Sequence, residues 1–333
     1  MSVFIIAEIG QAHDGSLGIL HSYIDAVAQT GVDGIKFQTH IAEAESSVYE
    51  PFRTNFSYED ITRYDYWKRM EFTASQWREI KQHCVACDLE FLSSPFSNKA
   101  VSLLEDIGVE RFKVGSGEIL NFLLLEKIAR TGKDIILSSG MSSFNEIDQA
   151  VNFLAGFGNN LSVLQCTTQY PTEPENAGLN VISEMIDRYD FSIGFSDHSG
   201  TIYPSLAAVT LGAKIIEVHT VFDKRIFGPD TSSSITIDEL KQLVEGIRHI
   251  ETAISHKIDK DDVSPYKNLK QMFGKSLAIN KKLCSDHRLC FDDLEAKKPS
   301  GYGIPASQYE RVIGKQLKHN LMSYDFLTLE DLI

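Results

Sequence analysis

An α/β class is predicted by two features of the chain. Eight short apolar, β-branched runs alternate with helix-patterned stretches through the first 255 residues, and the pattern changes abruptly after Ser255. Eight such units in about 250 residues fit a closed (β/α)8 TIM barrel better than an open doubly wound sheet. The predicted organisation is a barrel over residues 1–255, a polar linker over 256–274 and a small module over 275–333.

The strands are expected at Val3–Ile9, Gly34–Gln38, Leu89–Ser93, Arg111–Val114, Asp134–Leu137, Leu161–Gln165, Phe191–Phe195 and Lys214–Val218. Several are unbroken apolar runs, as strands covered on both faces should be. Helices are expected between them, among others at Ile19–Thr30, Ser75–Cys87, Asn98–Ile107, Phe144–Leu154 and Ser205–Leu211, with Ile237–Ser255 after the last strand. The segment from His40 to Thr73 is a long βα connection rich in aromatics (Tyr49, Phe52, Phe56, Tyr58, Tyr64, Tyr66, Trp67), of the kind that shapes a substrate pocket. About 60 residues sustain a core of their own only marginally, so the C-terminal module is expected to dock on another surface.

Composition narrows the function. The formal charge of −14 disfavours nucleic acid or an anionic membrane as partner. No apolar run approaches the roughly 20 residues that span a bilayer, and the N-terminus runs straight into a strand pattern, so no signal peptide is expected. Five cysteines at irregular spacing argue for a reducing, cytoplasmic setting. Cys84-Val85-Ala86-Cys87 lies in a helix with no second such pair, which makes a zinc or redox role improbable. His249, His256, His287 and His319 read as surface residues, and Gly115-Ser116-Gly117 lacks the rest of a nucleotide fingerprint.

The ends of the expected strands carry the chemistry. They read Glu8, Lys36 with Gln38, Ser93-Ser94, Lys113 through Glu118, Ser138-Ser139-Gly140 and Cys166 through Tyr170. The last two bring Ser196-Asp197-His198 and Glu217-Val218-His219, with Asp230 just beyond. A parallel barrel gathers these at its C-terminal rim. Two histidines beside carboxylates suit a divalent metal. Two lysines in apolar strands need an anion, and hydroxyls and glycines around them suit a phosphate. Taken singly, each serine or glycine reads as a turn residue and each histidine as an ordinary strand-end group; the coincidence over eight strand ends is what favours a site.

The motifs Ala7-Glu8-Ile9-Gly10-Gln11-Ala12-His13-Asp14-Gly15, Ile35-Lys36-Phe37-Gln38, Phe112–Glu118, Gly194–Ser199 and Glu217–Asp230 resemble the sialic acid synthase (NeuB) family over essentially the whole chain. Lys275–Ile333 looks like that family's antifreeze-like SAF module, of the β-clip type. The resemblance implies metal-dependent condensation of phosphoenolpyruvate with an N-acetylated amino-sugar aldehyde (N-acetylmannosamine or a diacetamido-dideoxyhexose). The products are a nine-carbon 3-deoxy-2-ulosonic acid and phosphate. It implies Mn2+ or Mg2+ on His198 and His219, and phosphoenolpyruvate on Lys36, Lys113, Ser94, Ser116, Ser138 and Ser196. Sugar contacts fall to Gln38, Glu118, Tyr170 and Asp230, with Thr168 a further substrate-binding hydroxyl. Glu8, Glu217 and Asp230 are the carboxylates for proton transfer and charge stabilisation. A domain-swapped homodimer is implied as well.

Five positions depart from the family pattern. Asp14 replaces Asn, Gln11-Ala12 replaces Ile-Asn, and Val218 replaces Lys or Arg. Lys298 stands where the family has an arginine that reaches a partner's sugar site, keeping the charge without the planar fork. Two other readings compete: a phosphoenolpyruvate aldol synthase for a phosphorylated sugar, which would want more basic residues than Arg53 at the sugar end, and a carbohydrate-binding or regulatory barrel that has lost catalysis, which loss of a metal histidine or anion lysine would support, though all are present.

Overall fold

Apolar residues on both sides of a strand demand cover on both sides, and a ring of parallel strands inside a ring of helices supplies it. The computed structural model of the chain has this architecture and describes residues 2–54 and 56–333. Two units divide it, one ending at His256 and one spanning Lys257–Ile333.

The first unit runs β1 (Phe4–Glu8), α1 (Leu17–Ala28), β2 (Gly34–Thr39), α2 (Ala42–Glu45), α3 (Arg63–Met70), α4 (Ala74–Ala86) and β3 (Glu90–Pro95). It continues with α5 (Asn98–Ile107), β4 (Arg111–Val114), α6 (Phe122–Ala129), β5 (Asp134–Ser138), α7 (Phe144–Ala155) and β6 (Leu161–Cys166). The last part is α8 (Leu179–Arg188), β7 (Ser192–Asp197), α9 (Tyr203–Thr210), β8 (Ile215–Val221), β9 (Ile235–Thr236) and α10 (Ile237–Ser255). Parallel ladders link β3-β2-β1-β8-β7-β6-β5-β4 in that order, and β3 packs beside β4 at the seam. This is a (β/α)8 barrel.

Strand alternation sorts the side chains into an outer and an inner set. Ile5, Ala7, Ile35, Phe37, Phe112, Val114, Ile193, Phe195, Ile216 and Val218 belong to the core shared with the helices. Ile6, Leu92, Ile136, Leu164 and Ile215 form a separate plug inside the barrel. Two residues further along the same strands come Glu8, Ser94, Ser138, Cys166 and Glu217, so the apolar plug is the floor of a polar chamber.

The expected strands stop short at their C-terminal ends: β2, β3, β5, β6, β7 and β8 all continue into polar residues. The inward-facing ones line the chamber, and the outward ones find partners of their own, Thr39 with Ser93 and Asp197 with Ser205. About a third of the expected loop after β2 is helical, in α2 and α3. The capping box of Thr62 and Asp65 starts α3, and Tyr66, Trp67 and Met70 bury its inner face. The turn before α1 fits against it. Gly15 has φ +74°, and a Cβ there would lie 2.5 Å from the Arg69 carbonyl oxygen.

The second unit holds the helix α11 (Lys267–Phe273) and an antiparallel pair, β10 (Ser276–Ile279) with β11 (Leu294–Lys297). Its core is Leu277, Ile279, Leu283, Leu289, Ile304, Val312, Leu317, Leu321 and Leu327. Among the described residues no helix is long and apolar enough to cross a membrane.

Candidate active site

Register decides which side chains meet. On the β1–β8 ladder Glu8 stands opposite His219, and on β1–β2 it stands opposite Lys36. Ser196 of β7 faces Glu217 of β8, and Gln38 of β2 faces Ser94 of β3. All of these open into one cavity at the C-terminal rim. Lys113, Ser116, Ser138, Thr168, Tyr170, His198 and Asp230 line it too.

Glu217 is the hub of the floor. Lys113 Nζ lies 3.3 Å and Lys36 Nζ 3.8 Å from its two oxygens, and the Ser196 hydroxyl donates to it at 3.0 Å. Burial opposes ionisation of Glu217, but Lys113 and Lys36 prevail and hold the carboxyl well below its ordinary range. Lys36 is also 2.7 Å from Glu8 and 3.4 Å from Ser94. Burial alone would lower its pKa; Glu217 and Glu8 raise it above that of an ordinary lysine. Lys113 donates to Ser138 at 2.6 Å, and here burial prevails over Glu217 and lowers the pKa. One wall needs glycine: a Cβ on Gly140 would lie 2.2 Å from the Thr168 hydroxyl and 2.6 Å from that of Ser116. The Thr168 hydroxyl is buried there with no protein partner.

Above the floor sit the histidines, with ring centres 5.4 Å apart. The Thr167 carbonyl accepts from His198 Nδ1 at 2.8 Å, so Nδ1 carries hydrogen and Nε2 is left facing Tyr170 Oη at 3.3 Å. Burial lowers the pKa of His219 and favours the neutral ring. Burial pushes the Asp230 carboxyl up, but the charge of His219 when protonated and the ion pair with Arg53 hold it below its ordinary value. At the mouth Arg53 bonds Asp230 at 2.7 Å and lies 4.1 Å from the centre of the Tyr170 ring.

The structure therefore gathers fourteen of the sixteen expected site residues around one cavity. Glu118 instead lines an adjoining chamber with Gln38, Trp67 and Phe96, and Lys298 belongs to the second unit, where its ammonium lies 4.9 Å from the centre of the Phe273 ring. Gln11, read from the sequence only as a departure in the first loop, joins the lining, as do Arg63, Phe96 and Met141. Gln11 donates to Gln38 at 2.8 Å, and Gln38 donates to Glu8 at 2.7 Å; only a fold could pair a loop glutamine with that strand. Two departures from the family pattern point away from the cavity. Val218 faces the helical layer, and Asp14 pairs with Arg69 at 2.6 Å.

A barrel whose rim holds an anion-ready lysine pair beneath two imidazoles and a carboxylate defines an enzyme-like site for a small anionic substrate. The sequence matches the NeuB family over residues 23–259, and the chain belongs to that family. It is 36% identical to the N,N'-diacetyllegionaminic acid synthase of Campylobacter jejuni over 317 residues, 93% of this chain and 94% of that one. It is 34% identical to the human N-acetylneuraminate-9-phosphate synthase over 325 residues, 94% of this chain and 88% of that one. The crystal structure of an N-acetylneuraminic acid (sialic acid) synthetase from Leptospira borgpetersenii superposes with a TM-score of 0.71 at 32% identity, covering 81% of this chain and 91% of that one.

Proposed function

We propose that the protein is a nonulosonate synthase, joining phosphoenolpyruvate to an N-acylated amino-sugar aldehyde and releasing phosphate. The observation that carries this reading is the pair of buried lysines around Glu217, with hydroxyls at neighbouring strand ends. Glu217 and Glu8 compensate the pair within the chain, and both ammonium groups still line the cavity, where a bound anion reaches them. Phosphoenolpyruvate brings a carboxylate and a phosphate, which suits Lys36 and Lys113 with Ser94, Ser116, Ser138, Ser196 and Thr168.

His198 Nε2 and neutral His219 would hold Mn2+ or Mg2+, with the Asp230 carboxylate on the same rim. His198 already makes the backbone hydrogen bond that fixes a ligand tautomer. Bound there, the ion would supply Lewis acidity towards the sugar aldehyde. C3 of the enol forms the new bond to the aldehyde carbon, and C2 becomes cationic. Glu217, ionised and adjacent, stabilises that charge. Water adds at C2 and loses a proton to a carboxylate, a role we assign to Glu8. The C–O bond to phosphate then breaks, with Lys36 and Lys113 compensating the leaving charge. Gln38, Tyr170 and Asp230 orient the sugar, and Glu118 reaches it from the adjoining chamber. Both arginines at the mouth are already paired, Arg53 with Asp230 and Arg63 with Glu50, which favours an unphosphorylated acceptor.

The C-terminal unit is read as an SAF module that serves a second copy of the chain in a swapped homodimer, Lys298 approaching the acceptor end of that copy's cavity. The setting is a cytoplasmic biosynthetic step. The test is phosphate release from phosphoenolpyruvate with manganese across a panel of acetamido sugars, with and without chelator. Chelator-sensitive release with an acetamido sugar is expected. Release only with phosphorylated sugars would replace the acceptor assignment, and a folded, metal-loaded protein inert towards every sugar would overturn the catalytic reading.

A further inference from the structure

The helical ring carries a second set of metal-ligand side chains that the barrel mouth does not use. His21 and Asp25 are four residues apart on α1, while His83 and Cys87 are four apart at the end of α4, which packs beside α1. Spacing of four puts each pair on one helix face. A carboxylate oxygen of Asp25, a ring nitrogen of His83 and the sulfur of Cys87 lie within 4.8 Å of one another. Helices of such a barrel run opposite to its strands, so the C-terminal halves of α1 and α4 lie towards the end away from the mouth. Cys84 is not part of this set: it is fully buried in the core.

We propose a borderline-soft divalent cation site, best matched by zinc, held by Asp25, His83 and Cys87 with His21 orienting His83. The tautomers carry the argument. His83 Nε2 faces Asp25 at 3.0 Å, and His83 Nδ1 faces His21 Nδ1 at 2.8 Å. Without metal, His83 donates through Nε2 to Asp25 and accepts from His21. A cation takes the place of the proton between Nε2 and the carboxylate. His83 then carries its hydrogen on Nδ1 and donates to His21, whose hydrogen moves to its outer nitrogen. The imidazoles thus keep their protons in number, and the proton lost is that of the Cys87 thiol, which binds as thiolate. A ligating histidine donating its other N–H to a fixed partner is the usual arrangement around such ions. Carboxylate, imidazole and thiolate together select zinc over magnesium or calcium. With three protein ligands, His83 only 26% and Asp25 63% exposed, a fourth position is left for water. The ion would tie α1 to α4, far from the substrates.

The test uses the full chain with His198→Ala and His219→Ala, which removes the mouth histidines from the count, stripped with chelator and titrated with zinc. One equivalent is expected to bind with release of a proton. Cys87→Ser and His83→Ala in that background should abolish binding, and His21→Ala should weaken it at least about tenfold. Cobalt in place of zinc should give a thiolate-to-metal absorption band that disappears in Cys87→Ser, a readout independent of turnover. No zinc uptake by the parent, or uptake and a cobalt band unchanged by Cys87→Ser, would overturn the proposal.

Discussion

Glu217 lies between two buried ammonium groups, so each charge in the floor depends on the others. Lys113→Ala should lower kcat/KM for phosphoenolpyruvate by about 10²–10³-fold, the usual scale for losing one preorganised donor to a developing anion; steady-state kinetics at saturating sugar would show it. Acid should weaken the fold in two windows. Burial holds His13 near pKa 3 instead of 6.5, so between those values the unfolded chain binds the extra proton and stability falls as pH falls. Glu217, lowered from 4.5 to about 2, contributes stability that is present above pH 4.5 and lost as pH drops towards 2. Urea midpoints measured against pH should show both losses. His13→Asn should remove the first, because its side-chain oxygen replaces the nitrogen that accepts from Gly15 N–H at 3.1 Å; an unchanged slope would refute the assignment to His13. Lys36, Lys113 and the two rim histidines were legible as residues because charged or ligating groups at the ends of apolar strands need a reason. Gln11 and Arg63 were not, since nothing local marks a polar loop residue as cavity lining.

Strands and long amphipathic helices were readable because their periods are local; the insertion after β2 was not, because α3 draws its stability from a cluster spread over residues 42–70 without helical period, which reaches Phe227 through Phe56. His40 shows the same dependence. It stacks between Trp67 of α3, ring centres 3.9 Å apart, and Phe96, at 4.8 Å. Its Nδ1 donates to Glu45 at 2.6 Å, and its Nε2 accepts from Gln11 at 2.8 Å. Thr62 caps α3, so Thr62→Ala should cost about 1 kcal/mol and loosen Trp67 and Arg63 at the mouth. The expected result is a raised KM for the sugar with KM for phosphoenolpyruvate unchanged, since the lysines stand on β2 and β4. Equal change in both constants would show that α3 supports the whole cavity instead.

At the scale of the molecule, the barrel was predictable from eight repeated units, whereas the role proposed for residues 257–333 depends on a second copy, which a single chain does not encode locally. If Lys298 serves a second copy, Lys298→Ala should raise the sugar KM without changing that of phosphoenolpyruvate. Mixing it with a Lys113→Ala variant should restore activity through dimers that combine one intact cavity with one intact Lys298; no recovery on mixing would count against the swap. The charge pattern of the cavity has a last consequence. With Arg63 set against Glu50, formal charge at the rim is balanced: Glu8, Glu217 and Asp230 against Lys36, Lys113 and Arg53. A multiply charged anion entering that neutral chamber leaves excess negative charge, which a cation offsets. Anion and cation are therefore thermodynamic allies, and reciprocity requires that each raise the other's affinity by the same factor.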